Sequence, residues 1–489
     1  MDALFERLRV AAERFPDRCA IRQGQQAVSY REYYRSSSVI AHRLSRMEPD
    51  LRKPILVLIT DTVTDLFAFM GILAIGGFYV PLSSNTSANR IQDVMQNYDF
   101  AAVLTTGEPK LEIERCLNVR DILDDPASSE SAGYVGEPLL PTTPAFGLFT
   151  SGSTGIPKLV LKSHQSILRM CQAFNEEFGF DENDVFGNQV SFEFDSSCKS
   201  VFLALYNHAT VCLISPKDFM FPRKVIDAIN EYRANVLIWS TFALRILANF
   251  KAFDYASIPS VKTVMVSGES IPENAIAYWM EHVDAAYYNL YAPTEYSFNC
   301  LAHRIARDEI AQIPLGTEIR GSKVYVIADG RLCAEGEEGE LYIAGPGLAL
   351  GYFRDADKTA RHFVQNPLHN DYPDIVYRTG DYGVKQGGLF YFRGRVDHQI
   401  KHQGYRIELG EIESAANGIA GVHISAALFD AEKQLILLYF EGDVSQDELY
   451  QQLKSKLPGH LLPKRVVRLE RIPLNQNNKV DRQALKNRS

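Results

Sequence analysis

Phe149-Thr150-Ser151-Gly152-Ser153-Thr154-Gly155-Ile156-Pro157-Lys158 concentrates hydroxyls and glycines into ten residues that follow an apolar run and end on a lysine. Backbone N–H groups exposed by glycine, hydroxyl donors and one cation together suit a polyphosphate. The stretch comes close to a Walker loop, with Gly147 and Gly152 correctly spaced, but Ser153 stands where that loop needs its lysine. A P-loop NTPase is therefore excluded. On composition alone a flexible Ser/Gly surface loop remains an equal reading.

The rest of the chain limits the alternatives. With 489 residues, 46% hydrophobic and 23% charged, usage is ordinary for a globular protein, which excludes disordered and fibrous classes. The net charge of −9 argues against a nucleic-acid partner. Charge is uneven: residues 451–489 hold ten Lys/Arg against two Asp/Glu, a basic tail on an acidic body. Such a tail suits an anionic partner, or is a solvated face. Seven scattered cysteines without a C-x-x-C pair predict neither a disulfide framework nor structural zinc, and a reducing, cytoplasmic setting. The most apolar stretch, Leu66–Tyr79, is about 14 residues, short of the ~20 that a membrane span needs. No leader-like segment is read at the start.

Short β-branched runs read as buried strands: Pro54–Thr60, Phe100–Thr106, Ala209–Ser215, Asn235–Ser240 and Thr263–Ser267. Helical stretches lie beside them at Val63–Ile75, Arg223–Arg233 and Glu273–His282. Continuous apolar strands alternating with helices predict parallel α/β layers. From about Gly316, short runs between glycine turns predict a smaller β subdomain. After Asp397 helix and strand patterns mix again. The expected organisation is α/β: a large N-terminal body, 1–396, of α/β layers plus the small β subdomain. A small mobile α+β C-terminal domain, 397–489, follows.

Further motifs stand in a fixed order along nearly the whole chain. They are Val28–Glu32, Gly76–Pro81, Asn289-Leu290-Tyr291-Ala292-Pro293-Thr294-Glu295, Gly339–Leu341, Tyr377–Asp381, Gly394–Asp397, Gly404–Glu411 and Asn478–Arg482. In that order, with the Phe149–Lys158 loop, they resemble the adenylate-forming superfamily. Its members include acyl-CoA synthetases and the amino-acid adenylation domains of nonribosomal peptide synthesis. The resemblance implies binding of ATP with Mg²⁺ through Thr150, Ser151, Gly152, Ser153, Thr154 and Lys158, and through Asn289, Tyr291, Ala292, Thr294, Asp381, Arg395 and Lys479. The residue types agree: a flat ring for adenine, an amide for a base edge, a carboxylate for a ribose diol. Glu295 offers a hard oxygen to magnesium, with Thr294 a phosphate donor beside it. Lys479 is implied as the cation that meets charge developing at the α-phosphate. Asp397 is implied as a hinge, and Lys401 and Gly404 as part of a loop for an incoming thiol. Leu159, Ala292, Leu350 and Asn478 depart from the family's usual residues.

Asp195, in Ser191–Ser197, matches the family position whose aspartate holds a substrate amino group, which argues for an amino acid. Its alternative is a helix N-cap. The pocket carried over by the same resemblance is Asp195, Ser196, Lys199, Phe242, Met265, Ser267, Gly268, Leu290, Phe298 and Asn299. Two Phe, one Met and one Leu leave little room and favour a small side chain. Lys199 pairs with an acidic one, or fills space with its stem. The implied reaction is activation of an amino acid as its adenylate, with release of pyrophosphate. Transfer to the phosphopantetheine thiol of a separate carrier protein follows, because no attachment segment is read in the chain. The nearest alternative is an acid–CoA ligase; a silent nucleotide-binding homologue is the other. His398 and His402 lack a metal-site context, and Gly345–Gly351 has one residue too many for a dinucleotide loop.

Overall fold

The computed structural model describes residues 3–108, 113, 116–125, 133–134, 136, 138–150, 157–395, 399–402, 405–430, 433–473 and 480–486. The chain separates into two compact units. One holds residues 1–84, 100–148 and 159–396; the other holds 85–99, 149–158 and 397–489. The second unit thus gathers two earlier segments as well as the stretch after Asp397.

The first unit is built on three sheets. A nine-stranded sheet has a parallel centre, running Ala286–Tyr291, Thr263–Ser267, Val236–Ser240, Val185–Asn188, Thr210–Leu213 and Cys19–Gln23. Antiparallel strands close its edges: Leu301–Arg304 and Thr317–Glu318 on one side, Gln26–Ser29 on the other. Strand order reverses direction around Val185–Asn188. In open parallel sheets a ligand crevice forms beyond the carboxyl ends of the strands at such a point.

A seven-stranded sheet contains the parallel set Ile55–Ile59, Tyr79–Ser83, Ala102–Thr105 and Cys116–Asn118. Every residue of Ile55–Ile59 is buried, as expected of a strand covered on both faces. The β subdomain foreseen from Gly316 is a six-stranded sheet, its pairings antiparallel, centred on Glu338–Ala344 and Ile375–Gln386. The glycines of the Gly345–Gly351 run are explained here. A Cβ on Gly347 would lie 2.3 Å from the Tyr296 ring, so close packing, not nucleotide binding, requires glycine.

The second unit contains a three-stranded sheet, Val422–Asp430, Leu435–Gly442 and Arg465–Arg468, with helices Leu409–Asn417 and Gln446–Lys456. Ile412, Leu438, Phe440, Leu449 and Leu453 form its core. The strand and helix expectations agree with the structure within two residues at either end. Among the described residues no helix is long and apolar enough to cross a membrane. All seven cysteines are free thiols.

Candidate functional site

Asp195 opens the helix Asp195–Tyr206, but the N-cap is Phe194, and no side chain caps it. The capping alternative therefore fails. The carboxylate instead lies 3.1 Å from the ammonium of Lys162, whose side chain has no exposure, while that of Asp195 keeps 15%. Burial pushes the Asp195 carboxyl up, opposed by the charges of Lys162 and Lys199. Lys162 was not foreseen. A lysine in Lys158–Ser163 reads as a solvated strand residue, yet the strand is interior at that point.

The loop before Asp195 is held by two other carboxylates. Asp61, at a φ of 58°, accepts from Ser191 Oγ and Phe192 N at 2.9 Å each. Glu193 accepts from Ser83 N at 2.7 Å. Burial pushes Glu193 up to about 7.

Two of the expected pocket residues, Ser267 and Asn299, meet Ser196 and Lys199 of Asp195's helix. Lys199 Nζ donates to Ser267 Oγ and to Asn299 Oδ1, both at 3.0 Å. Ser196 Oγ lies 3.2 Å from the same Ser267 hydroxyl. Lys199 is 2% exposed, and burial pulls its ammonium down to about 8, partly resisted by Asp195. Ser267 ends its strand and Gly268 follows at a φ of 114°, a conformation that favours glycine. Phe298 adopts a φ of 59° without being glycine, a strained backbone beside Asn299. Met265, Leu290 and Phe298 are buried in one cluster. Phe242 behaves differently: half-buried, it lies under the Arg245 guanidinium, 5.8 Å from its ring centre.

A second constellation forms around Asp381, which is 2% exposed. Tyr291 Oη donates to its Oδ2 at 2.5 Å, and Arg395 pairs with its Oδ1. Thr379 Oγ1 accepts from Asp381 N at 2.9 Å. Burial, and then the neighbouring carboxylate, hold the Tyr291 phenol protonated well above its usual range. Glu295, 1% exposed, accepts from Tyr352 Oη at 2.8 Å, a partner that only the fold brings near. Asn289 donates its amide to Pro314 O at 2.6 Å. Ala292 and Thr294 are half-buried just beyond the strand Ala286–Tyr291.

Within the second unit, Lys158 Nζ lies 2.7 Å from Glu408 Oε1, and Arg90 pairs with Glu411 at 3.3 Å. The Thr150 hydroxyl is buried, with no hydrogen-bond partner among the described residues. Ser151, Gly152, Ser153, Thr154, Asp397, Gly404 and Lys479 lie outside the described residues; Lys401 contributes backbone to the strand Gln399–His402. Asp481 N donates to Pro473 O at 2.8 Å, and Arg482 reaches Glu413 at 2.6 Å. Among the described residues no group of three His, Cys, Asp or Glu is arranged to hold a metal alone.

Comparison with known proteins bears on this geometry. A family model described as AMP-binding enzyme matches residues 8–353. Tyrocidine synthase 1 of Brevibacillus parabrevis is 29% identical over 488 residues, 97% of this chain and 44% of that protein. The chain thus spans less than half of that relative's length. Zwittermicin A synthase ZmaJ of Bacillus cereus is 28% identical over 96% of this chain and 92% of its own. The artificially fused adenylation–PCP di-domain NpsA-ThdA of Klebsiella oxytoca superposes with a TM-score of 0.85 at 23% identity, covering 96% of this chain and 94% of that one.

Proposed function

The chain belongs to the AMP-binding enzyme family, and from that premise we propose that it activates an amino acid with ATP and passes the acyl group to a carrier-protein thiol. Asp195 carries the amino-acid part of this reading. It is a largely buried carboxylate that caps nothing, paired with the unexposed Lys162 and still 15% exposed. A substrate ammonium reaches it there by charge-assisted bonds. The relatives support it: two are named synthases, of tyrocidine and of zwittermicin A, and NpsA-ThdA joins an adenylation domain to a PCP.

In this reading Tyr291 presents its ring to adenine. A carboxylate has about four acceptor sites, so Asp381 takes the ribose hydroxyls while it keeps Tyr291 and Arg395. The Thr150 hydroxyl, without a hydrogen-bond partner among the described residues, and the ammonium of Lys158 serve the phosphates. Glu295, a hard oxygen donor with the Thr294 hydroxyl beside it, fits Mg²⁺, which neutralises phosphate charge when bound. A substrate carboxylate oxygen attacks the α-phosphorus, the bond to the bridging oxygen breaks, and pyrophosphate leaves. Lys479 stabilises the charge that develops. Residues 397–489 form the small mobile domain that carries it, turning at Asp397, and the loop of Lys401 and Gly404 admits the thiol. The thiol sulfur then attacks the acyl carbon, its proton goes to solvent and AMP departs. The carrier is a separate protein, received by the exposed cations Lys454, Lys456, Lys464, Arg465, Arg468 and Arg471.

Amino-acid-dependent exchange of labelled pyrophosphate into ATP tests the proposal. Lys479→Ala is expected to lower exchange by about 10²–10³. Exchange at the wild-type rate in that variant, or no exchange with any amino acid, refutes it.

A further inference from the structure

The two buried ammonium groups at the strand ends are partnered differently. Lys162 and Lys199 are 0% and 2% exposed, and Lys162 has the Asp195 carboxylate at ion-pair distance. Glu295, a further buried carboxylate that acts on Asp195, accepts from Tyr352 Oη. Asp195 Oδ1 is committed by distance to Lys162. Lys199 has only neutral acceptors, Ser267 Oγ and Asn299 Oδ1. An ammonium carries three N–H donors, so one remains after those two bonds. A buried cation whose hydrogen bonds among the described residues go to neutral acceptors is stabilised by a carboxylate at that third N–H.

The candidate counter-charges differ in their effect. A neutral amino acid brings its ammonium to Asp195 and offers no anion to the remaining N–H of Lys199. An amino acid with an acidic side chain brings the same ammonium together with an anion. Ser196, Ser267 and Asn299 are the polar groups linked to Lys199 by hydrogen bonds. Met265, Leu290 and Phe298, buried in one cluster, bring no charge to offset that of Lys199.

We propose that the substrate is a dicarboxylic amino acid, with Lys199 receiving its side-chain carboxylate and Asp195, backed by Lys162, receiving its ammonium. This rests on the amino-acid adenylation reading and names its substrate class. Lys199 is then the specificity-determining cation. Lys162 is a positioning residue, which keeps Asp195 ionised and aimed although burial disfavours its charge. Small neutral side chains, favoured by pocket volume alone, become poor substrates, because they leave Lys199 uncompensated.

The test is pyrophosphate exchange with the whole chain across aspartate, glutamate, asparagine, glutamine, alanine, serine and the amine-free diacids succinate and glutarate. Aspartate or glutamate is expected to exceed its own amide by about 100-fold or more in kcat/KM, since an unpaired buried polar group rejects the wrong analogue strongly. Lys199→Met is expected to abolish that preference by raising KM for the acid while the amide improves. Lys162→Met is expected to weaken every amino acid alike. Neutral amino acids exchanging better than acidic ones in the wild type overturn the inference and leave adenylation standing. Diacids without an amine exchanging as well as aspartate or glutamate overturn the role of Asp195. Exchange with no acid at all overturns the underlying reading. Because the wild-type panel is decisive, the outcome does not depend on whether Lys199→Met folds.

Discussion

Replacing Asp381 by Asn separates the structural from the binding work of its carboxylate. In the wild type Oδ2 accepts from Tyr291 and Oδ1 faces the Arg395 guanidinium, whose side chain is 10% exposed. With so little solvent around the pair, screening is weak. Removing one partner of a buried pair costs about 3–5 kcal/mol, because the other charge loses its compensation. A single hydrogen bond to a charged group is worth about 1.5–3 kcal/mol. Asp381→Asn is therefore expected to lower the unfolding free energy of the first unit by about 3 kcal/mol, and Tyr291→Phe by about 1–2 kcal/mol. If Asp381 also takes the ribose diol, KM for ATP in the exchange assay rises about 100-fold in Asp381→Asn, the loss of about one charge-assisted bond. Tyr291→Phe keeps the ring that meets adenine and raises KM for ATP by ~10-fold or less. Denaturant unfolding and exchange kinetics on the same preparations read both quantities. An Asp381→Asn variant within ~0.5 kcal/mol of wild type, with unchanged KM for ATP, refutes the reasoning, since that is the range of an inconsequential surface change.

Two further substitutions probe the framework. Burial pushes the Asp65 carboxyl up to about 7, with the Asp61 charge adding to it and bonds from Thr106, Thr62 and Thr60 opposing. The folded state thus holds a proton that the unfolded chain, near 3.9, releases. The stabilisation is full below about pH 4 and is lost as pH rises through about 7. Asp65→Asn is expected to match wild type near pH 4 and exceed it at pH 8 by up to about 4 kcal/mol, measured by unfolding at both pH values. Equal pH slopes in the two proteins refute this. The near-buried Lys158–Glu408 pair, at 2.7 Å, is expected to show a coupling energy of about 1–3 kcal/mol in a Lys158→Met/Glu408→Gln stability cycle; additivity within ~0.3 kcal/mol removes it.

What the sequence made legible follows from local physics. Thr263–Ser267 and Glu273–His282 appear at the expected boundaries, because a β-branched run and a helical periodicity need no distant partner. Tyr291 and Asp381, ninety residues apart, were both named from their motifs, yet that they touch is a property of two sheets. Lys162 was illegible for a different reason. In a strand of alternating character a lysine is assigned to solvent, and only the nearby carboxylate of Asp195 makes its burial tolerable. Leu159, a departure from the family pattern, fits because Gly147 leaves room: a Cβ there would lie 2.8 Å from Leu159 Cδ1. The grouping of 85–99 and 149–158 with 397–489 had no local signature at all.

Two carboxylates of the first unit, Asp381 and Asp195, differ in the way a holding group differs from a receiving one. Asp381 meets a phenol and a guanidinium, so its charge is already balanced in the folded chain. Such a group adds a neutral diol without changing the net charge, as suits a part of the substrate common to every turnover. Asp195 is instead paired with Lys162 at ion-pair distance, and shares a helix with Lys199, whose hydrogen bonds among the described residues go to neutral oxygens. On the proposal made above, a substrate carboxylate at Lys199 completes that arrangement. Selectivity is expected at Lys199 for this reason. Desolvating the wrong charge there costs several kcal/mol, whereas a wrong-sized apolar group costs only about 1–3.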